Sequence, residues 1–375
     1  MIGIDYTAAY EQGAGIGRYV RELITALAHQ DSETTYRLYV QGAGRKPLPT
    51  LPGGNFRWAA TRITPEWFFR FWHRLRLPIP VETWVGRVRL YHATDFVLPP
   101  TLPSTPTVLT VHDLSFVRVP EAAPPSLKAY LDVVVPRSAR RADYVLADSH
   151  ATKDDLIDLY KLPEAKIEVL YSGVNPRFCP TALEAALREK YRIGASPYIL
   201  AVGTVQPRKN YARLIEALAA LPPDLADVHL VIAGGRGWLQ DPIYATVAAQ
   251  GLTERVHFIG FAEDADLPAL YTGARLLAFP SLYEGFGLPI LEAFACGTPV
   301  LTAGVSSLGE VAGDAALLVD PLQVDSIRAG LEVLLRDDTL RAGLIERGYA
   351  QASRFTWDAA AKQLREVYRR FERRS

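Results

Sequence analysis

The stretch Leu276 to Leu301 constrains the chain more than any other. Leu276-Leu-Ala-Phe279 is a short apolar run of the kind a parallel sheet buries on both faces. Pro280 and Ser281 end it. A loop with two glycines follows, Gly285 and Gly287. A helix is then predicted from about Pro289 to Cys296, with Pro289 suited to its first turn and Gly297 to its end. Val300 and Leu301 begin another strand. The order is strand, glycine loop, helix, strand, which belongs to doubly wound α/β folds.

The loop also carries chemistry. Gly285 and Gly287 let the backbone approach a ligand closely, so Gly285, Phe286, Gly287 and Leu288 are candidate ligand-binding positions. The helix after them offers unpaired N–H groups and the positive end of its dipole, which suits a phosphate. Two carboxylates frame that site, Glu284 in the loop and Glu292 on the helix, with seven residues between them. A carboxylate accepts two hydroxyl protons at once. One on each side of an anion site suits a ligand with a diol at each end and phosphates between, the shape of a nucleotide sugar. The plain alternative is an ordinary Rossmann-type loop with surface glutamates.

The whole motif, E-G-F-G-L-P-I-L-E-A-F-A-C-G-T-P-V, resembles the signature of retaining glycosyltransferases of family 4. That family has the GT-B fold. The resemblance implies an α/β protein of two Rossmann-like, doubly wound domains facing each other across a cleft. The donor would lie mainly on the second domain and the acceptor on the first. Other stretches extend the likeness. Gly203-Thr-Val-Gln-Pro-Arg208-Lys209-Asn210 matches the family's G-x-x-x-x-R/K-K-N. Two adjacent cations behind a glycine turn, at a strand's carboxyl end, suit a diphosphate. Cations at a helix start oppose its dipole and need such a reason.

In the first half, Thr107 to Val111 reads as a strand that delivers His112. The V-H-D-L-S run there is similar to family members in which the histidine reaches the donor sugar from the other domain. A histidine that only hydrogen-bonds a loop is the alternative. Gly15 and Gly17 precede a helix ending near His29 and correspond to the family's glycine loop near the donor phosphate. A helix start that needs tight packing explains them equally. A dinucleotide fingerprint fails here, because Arg18 stands where a glycine is required. Phe261, after a strand ending at Phe258, corresponds to the turn beside the nucleobase.

At 375 residues, two domains are expected. The boundaries read as 1–178, with a terminal helix 357–375 returning to that domain by analogy, and 179–356. Formal net charge is zero, so no global field argues for nucleic acid. Cys179 and Cys296 have no metal or redox spacing and read as buried thiols in a reducing compartment. No apolar run is long enough to span a membrane and no signal-peptide pattern is seen, which points to a cytoplasmic location. Between Arg57 and Arg89 seven arginines stand against two glutamates, with aromatics clustered from Trp67 to Trp72. A core helix with an arginine face is the simpler reading. Peripheral contact with the inner face of a membrane, for a lipid-linked acceptor, is the alternative. Asp264-Ala-Asp266 has the D-x-D form of a metal motif but precedes a helix, where acids cap. It reads as capping, and no metal or cofactor is expected.

The reaction implied is transfer of a hexose from a nucleoside diphosphate sugar to a hydroxyl of a glycan or lipid-linked acceptor, with retention. Glu284, His112, Arg208 and Lys209 would carry it, and Glu292 and Gly203 would hold the donor. V-H-D-L-S and S-S-L-G-E-V-A-G-D-A-A-L-L-V-D-P resemble bacterial mannosyltransferases of polysaccharide assembly, which points to GDP-mannose. A UDP, ADP or dTDP sugar, a nucleotide-sugar epimerase and a non-catalytic carbohydrate-binding scaffold stay open as alternatives.

Overall fold

The computed structural model describes residues 1–13, 15–75 and 77–372, and the side chains of His73 and Glu372 fall outside that description. Ala14 of the glycine loop, Arg76, Arg373 and Arg374 therefore lie outside the described residues. The chain forms two compact units. One comprises Met1–Leu114, Ala129–Gly173 and Trp357–Ser375, and the other comprises Ser115–Lys128 and Val174–Thr356.

The first unit is built on β1 (Ile2–Asp5), β2 (Tyr36–Val40), β3 (Phe56–Ala60), β4 (Tyr91–Ala93), β5 (Thr107–Val111), β6 (Tyr144–Ala147) and β7 (Ile167–Val169). They lie side by side in the order β3-β2-β1-β4-β5-β6-β7, and every pairing is parallel. Helices cover both faces of such a sheet, so its strands read as continuous apolar runs. All five residues of β5 are buried. The strand order reverses between β1 and β4, which makes that junction the topological switch point.

The helix Ile16–Gln30 buries Val20, Leu23, Ile24 and Leu27, which fall at helical spacing on one face. The terminal helix Trp357–Glu372 packs against it, and Gln30 donates to the Asp358 carbonyl at 2.7 Å. Gln363 donates to the Val169 carbonyl at 2.7 Å. His92, fully buried in β4, links Tyr368 Oη at 2.7 Å to Thr110 Oγ1 at 2.8 Å. Burial pushes its imidazole down to about 3, so a neutral ring ties the last helix to the sheet.

Two local features carry no clear period in the sequence. After β1, Thr7–Glu11 is a short helix with Ala8, Ala9 and Tyr10 buried. Asp5 Oδ1 accepts from the Thr7 N–H at 2.9 Å and starts the turn. Five residues are too few to show a helical period. The aromatic segment is Pro65–Phe68, an α-turn, followed by a π-helix at Phe69–Arg74. Phe68 and Trp72 are buried, whereas Trp67 and Phe69 are 47% and 39% exposed. The segment is thus half core and half surface.

The second unit is built on β8 (Tyr198–Val202), β9 (His229–Ala233), β10 (Val256–Gly260), β11 (Leu276–Phe279), β12 (Val300–Ala303) and β13 (Ala316–Val319). The order is β10-β9-β8-β11-β12-β13, again parallel throughout. Its switch point lies between β8 and β11. Two doubly wound α/β sheets are the fold class that the alternating pattern predicts.

Cys296 is buried, but Cys179 is exposed, contrary to expectation. It sits in the chain segment that leads into the helix Ala185–Tyr191, beside Thr181, whose Oγ1 donates to the Cys179 carbonyl at 2.9 Å. Asp266 does precede the helix Leu267–Thr272, yet its side chain makes no capping bond. It accepts instead from Lys190 Nζ and Tyr191 Oη, each at 2.7 Å, and Asp264 pairs with Arg177 at 3.6 Å. Opposite charge nearby, rather than the helix end, holds these acids. Among the described residues no helix is long and apolar enough to cross a membrane.

Candidate active site

The predicted cations and the first predicted carboxylate meet at the switch point of the second unit. β8 ends at Val202, and Gly203 turns the chain at φ +142°. A Cβ at Gly203 would stand 2.8 Å from Lys209 Cε and 3.2 Å from its Nζ. Only glycine leaves Lys209 room to fold back over the strand end. The turn continues through Pro207–Lys209 to Asn210, which adopts the left-handed conformation at φ +62°. Asn210 Nδ2 donates to the carbonyls of Pro280, at 3.0 Å, and Pro321, at 2.7 Å. The Leu282 N–H donates to the Arg208 carbonyl at 2.9 Å. The loops after β8 and β11 are therefore bound into one surface.

On that surface Lys209 Nζ donates to Glu284 Oε1 at 2.7 Å, and Arg208 Nη1 lies 2.6 Å from Glu284 Oε2. Arg208 Nη1 also donates to the Tyr283 carbonyl at 2.7 Å. Lys209 Nζ sits 4.6 Å above the Phe279 ring. All three charged side chains are at least 85% buried. Burial disfavours the carboxylate, but Arg208 and then Lys209 outweigh it and hold Glu284 down to about 2. Two cations against one anion leave the cluster net positive, as a bound diphosphate requires.

A carboxyl lowered in the fold contributes stability above its ordinary value of about 4.5, and that contribution is lost as pH falls from there through about 2. Glu284→Gln should therefore melt below wild type at pH 7, with the gap closing between about pH 4.5 and 2. Thermal unfolding across that range checks it, and a gap independent of pH would refute the ion-pair account.

Glu292 lies within the helix Leu288–Ala295, 2% exposed, and accepts from Tyr271 Oη at 2.7 Å. Gly287 caps the helix at φ +123°, and Pro289 occupies its first turn. Ser307 Oγ donates to the carbonyls of Glu284 and Phe286 at 2.9 and 2.7 Å, and Ser306 Oγ accepts from the Glu284 N–H at 2.9 Å. Those bonds fix the loop through Gly285. Phe286 is buried against Phe355, with ring centres 5.8 Å apart. Leu288 is half-buried. Phe261 stands 53% exposed beyond β10, the edge strand two positions from β8.

The remaining predicted residues belong to the first unit. His112 is buried, with Nδ1 at 2.7 Å from Asp148 Oδ2 and Nε2 at 2.8 Å from the Thr94 carbonyl. A carbonyl only accepts, so Nε2 carries a proton. Burial opposes the imidazolium, but the Asp148 carboxylate overrides it and raises His112 to about 9. Both ring nitrogens thus have partners inside the unit. Gly15 begins the helix Ile16–Gln30 at φ +53°, with open space where a Cβ would be. Gly17 is a packing position, because a Cβ there would collide with the Gln12 carbonyl oxygen and come 2.8 Å from that of Ala8.

Tyr271, Tyr283 and Gly234 carry no local signal of a role here. Ser306 and Ser307 head the S-S-L-G-E run that resembles the mannosyltransferases, which is the signal for them. Tyr271 and Tyr283 act through a hydroxyl on Glu292 and a carbonyl toward Arg208, contacts that no local pattern encodes.

Comparisons with known proteins agree with this architecture. Residues 13–178 match the family described as Glycosyltransferase Family 4, and residues 184–351 match the family described as Glycosyl transferases group 1. The O-antigen chain mannosyltransferase B of Escherichia coli is 32% identical over 371 residues, covering 95% of this chain and 96% of that one. The D-inositol 3-phosphate glycosyltransferase of Salinispora tropica is 36% identical over 283 residues, 70% of this chain and 58% of that one. Among solved structures, sucrose-phosphate synthase of Thermosynechococcus elongatus superposes with a TM-score of 0.79 at 21% identity, over 100% of this chain and 99% of that one. With both halves matched in order and one relative alignable along nearly its whole length, the chain belongs to the family 4 glycosyltransferases and is a glycosyltransferase.

Proposed function

We propose that the protein transfers mannose from GDP-mannose to a hydroxyl of a glycan, free or lipid-linked, with retention of anomeric configuration and without a metal. The observation that carries this reading is the buried group of Arg208, Lys209 and Glu284 at the switch point of the second unit. The name of the Escherichia coli relative supports the sugar.

The hard step is departure of a diphosphate. As the bond from C1 to the β-phosphate oxygen breaks, its electron pair goes to that oxygen. Arg208 and Lys209 meet the added charge with preformed donors, which acts most strongly in the transition state. The start of the helix Leu288–Ala295 adds aligned N–H groups. Glu284, already ionised, would exchange its cation contacts for the sugar hydroxyls and steady the oxocarbenium-like carbon. Glu292 would hold the ribose diol, with Tyr271 fixing its carboxylate. The acceptor oxygen attacks the same face, and its proton passes to the leaving phosphate. His112, held as a cation by Asp148, would act from the first unit on the donor sugar. Gly203, Gly285, Phe286, Gly287 and Leu288 would shape the donor bed, Phe261 would flank the base, and Gly15 and Gly17 would form the loop near the phosphates.

A thermal-shift panel of GDP-mannose, UDP-glucose, ADP-glucose and dTDP-glucose tests the donor. GDP-mannose should give the largest shift, since a ligand at 100 times its Kd stabilises by about 2.7 kcal/mol. Transfer to a mannoside should persist in EDTA and give the α-linked product by NMR. A larger shift with another nucleotide reassigns the donor. Activity lost in EDTA and restored by manganese, or a β-linked product, refutes the mechanism.

A further inference from the structure

Two serines of the second unit depart from what serine ordinarily does, and both departures serve one residue. β11 and β12 are parallel neighbours, so the loop after β12 runs beside the loop that carries Glu284. Ser306 in that loop adopts the left-handed conformation at φ +48°. A residue with a Cβ is strained there, whereas glycine is not. Such strain persists where surrounding contacts over-determine it, and it clusters at working sites. The Ser306 hydroxyl accepts the Glu284 N–H at 2.9 Å, a bond that glycine could not make. Ser307 stands at the N-cap of the helix Leu308–Ala312, where a serine hydroxyl ordinarily accepts from the first turn. Among the described residues it makes no such bond. It is fully buried and donates instead to the carbonyls of Glu284 and Phe286, at 2.9 and 2.7 Å. A hydroxyl has one proton, so the two carbonyls share it.

Glu284 is thereby held at every polar atom. The serines take its N–H and its carbonyl, and Arg208 and Lys209 take its two carboxylate oxygens at 2.6 and 2.7 Å. The two sets of bonds have different fates in the proposed reaction. Arg208 and Lys209 would turn to the diphosphate as it departs, which releases the carboxylate from them. The main-chain bonds to the serines are then what continues to fix residue 284. Gly285, next in the chain, has no side chain to resist rotation. With the main chain pinned, the carboxylate has only its own side-chain torsions left to order.

Resting on the reading that Glu284 acts on the donor sugar, we infer that Ser306 and Ser307 are positioning residues of the transfer. They hold the main chain of Glu284 so that its carboxylate stays in place once the two cations have left it. In the resting protein the ion pairs hold that carboxylate with or without the Ser306 hydroxyl. Removing the hydroxyl therefore costs the free protein little and the transition state more, and the loss appears in kcat. Glycine at 306 also relieves the left-handed strain while the hydrogen bond is lost, two effects of opposite sign on stability. Ser306→Gly should accordingly melt close to wild type.

A double-mutant cycle on the full chain tests the inference. Turnover is read as nucleoside diphosphate released, with methyl α-mannopyranoside as acceptor, from whichever of GDP-mannose, UDP-glucose, ADP-glucose and dTDP-glucose the wild type uses. Ser306→Gly and Ser307→Ala should each lose about tenfold in kcat, with the donor KM within about twofold of wild type. Glu284→Ala should lose more. In the Glu284→Ala background, Ser306→Gly should change kcat by less than about twofold, because the residue it positions is gone. The thermal shift given by the matching nucleoside diphosphate should be the same in Ser306→Gly as in wild type. Wild-type kcat in both serine variants, beside an impaired Glu284→Ala, would overturn the inference and leave the role of Glu284 standing. A full tenfold loss on top of Glu284→Ala, or a loss that vanishes once kcat is corrected for the folded fraction, would also overturn it. Wild-type kcat in Glu284→Ala would overturn the reading of Glu284 itself.

Discussion

Lys209→Ala should lower turnover by about 100- to 1,000-fold, the range found when one preorganised donor is removed from a developing oxyanion. That range corresponds to about 2.7–4 kcal/mol of transition-state stabilisation. The residue qualifies because its ammonium is buried, is fixed at 2.7 Å on Glu284 and is held over the Phe279 ring. Its charge is therefore not diluted by solvent and needs no reorganisation when the phosphate leaves. On the proposed reaction the loss should fall mainly on kcat, because the leaving group gains charge only as the bond breaks. The fold should survive, since Arg208 still neutralises Glu284 at 2.6 Å. Steady-state kinetics on the folded variant decides the matter. A turnover within threefold of wild type would remove Lys209 from the reaction.

Gly234→Ala should destabilise the second unit by about 3 kcal/mol, the upper part of the range for forced overpacking. In a unit of this size that is a fall in Tm of about 6–12 °C. A Cβ at Gly234 would collide with the carbonyl oxygen of Gly203 and stand 2.5 Å from its carbonyl carbon. Neither neighbour is a side chain that can turn away. The loops after β8 and β9 keep pairing past their strands, with Gly203 N–H on Ala233 O at 2.9 Å and Val205 N–H on Gly235 O at 3.0 Å. Moving Gly203 also moves the turn that carries Lys209, so donor binding should weaken together with stability. Gly235→Ala is the control, because nothing lies within 4 Å of a Cβ there. Equal melting of the two variants would refute the close-approach argument.

These two positions show where local sequence stops being informative. Lys209 stands out in the chain because a cation pair at a helix start opposes the dipole. Gly234 sits in a run of glycines whose individual duties look alike. Gly17 is similar: its requirement comes from the backbone of the short helix Thr7–Glu11, an element too brief to announce itself by period. His112 could be found as a histidine at a strand's carboxyl end. Its engagement of Asp148, on a neighbouring strand's exit, depends on β5 and β6 lying side by side.

The class of fold and the family are legible in the order of residues alone. Apolar runs such as those of β5 and β11 suit strands buried on both faces of a parallel sheet, and the glycine loop with its two glutamates narrows the chemistry. Periodicity and spacing are local properties, legible within a few residues. Which groups meet depends on how the strands are ordered in the folded sheets. Lys209 and Glu284 are 75 residues apart in the chain and 2.7 Å apart in space, because the strand order reverses between β8 and β11. The same reversal between β1 and β4 sets Asp5 beside Asp95. Crossover connections bring distant strand ends together, and no local pattern records which ends become neighbours.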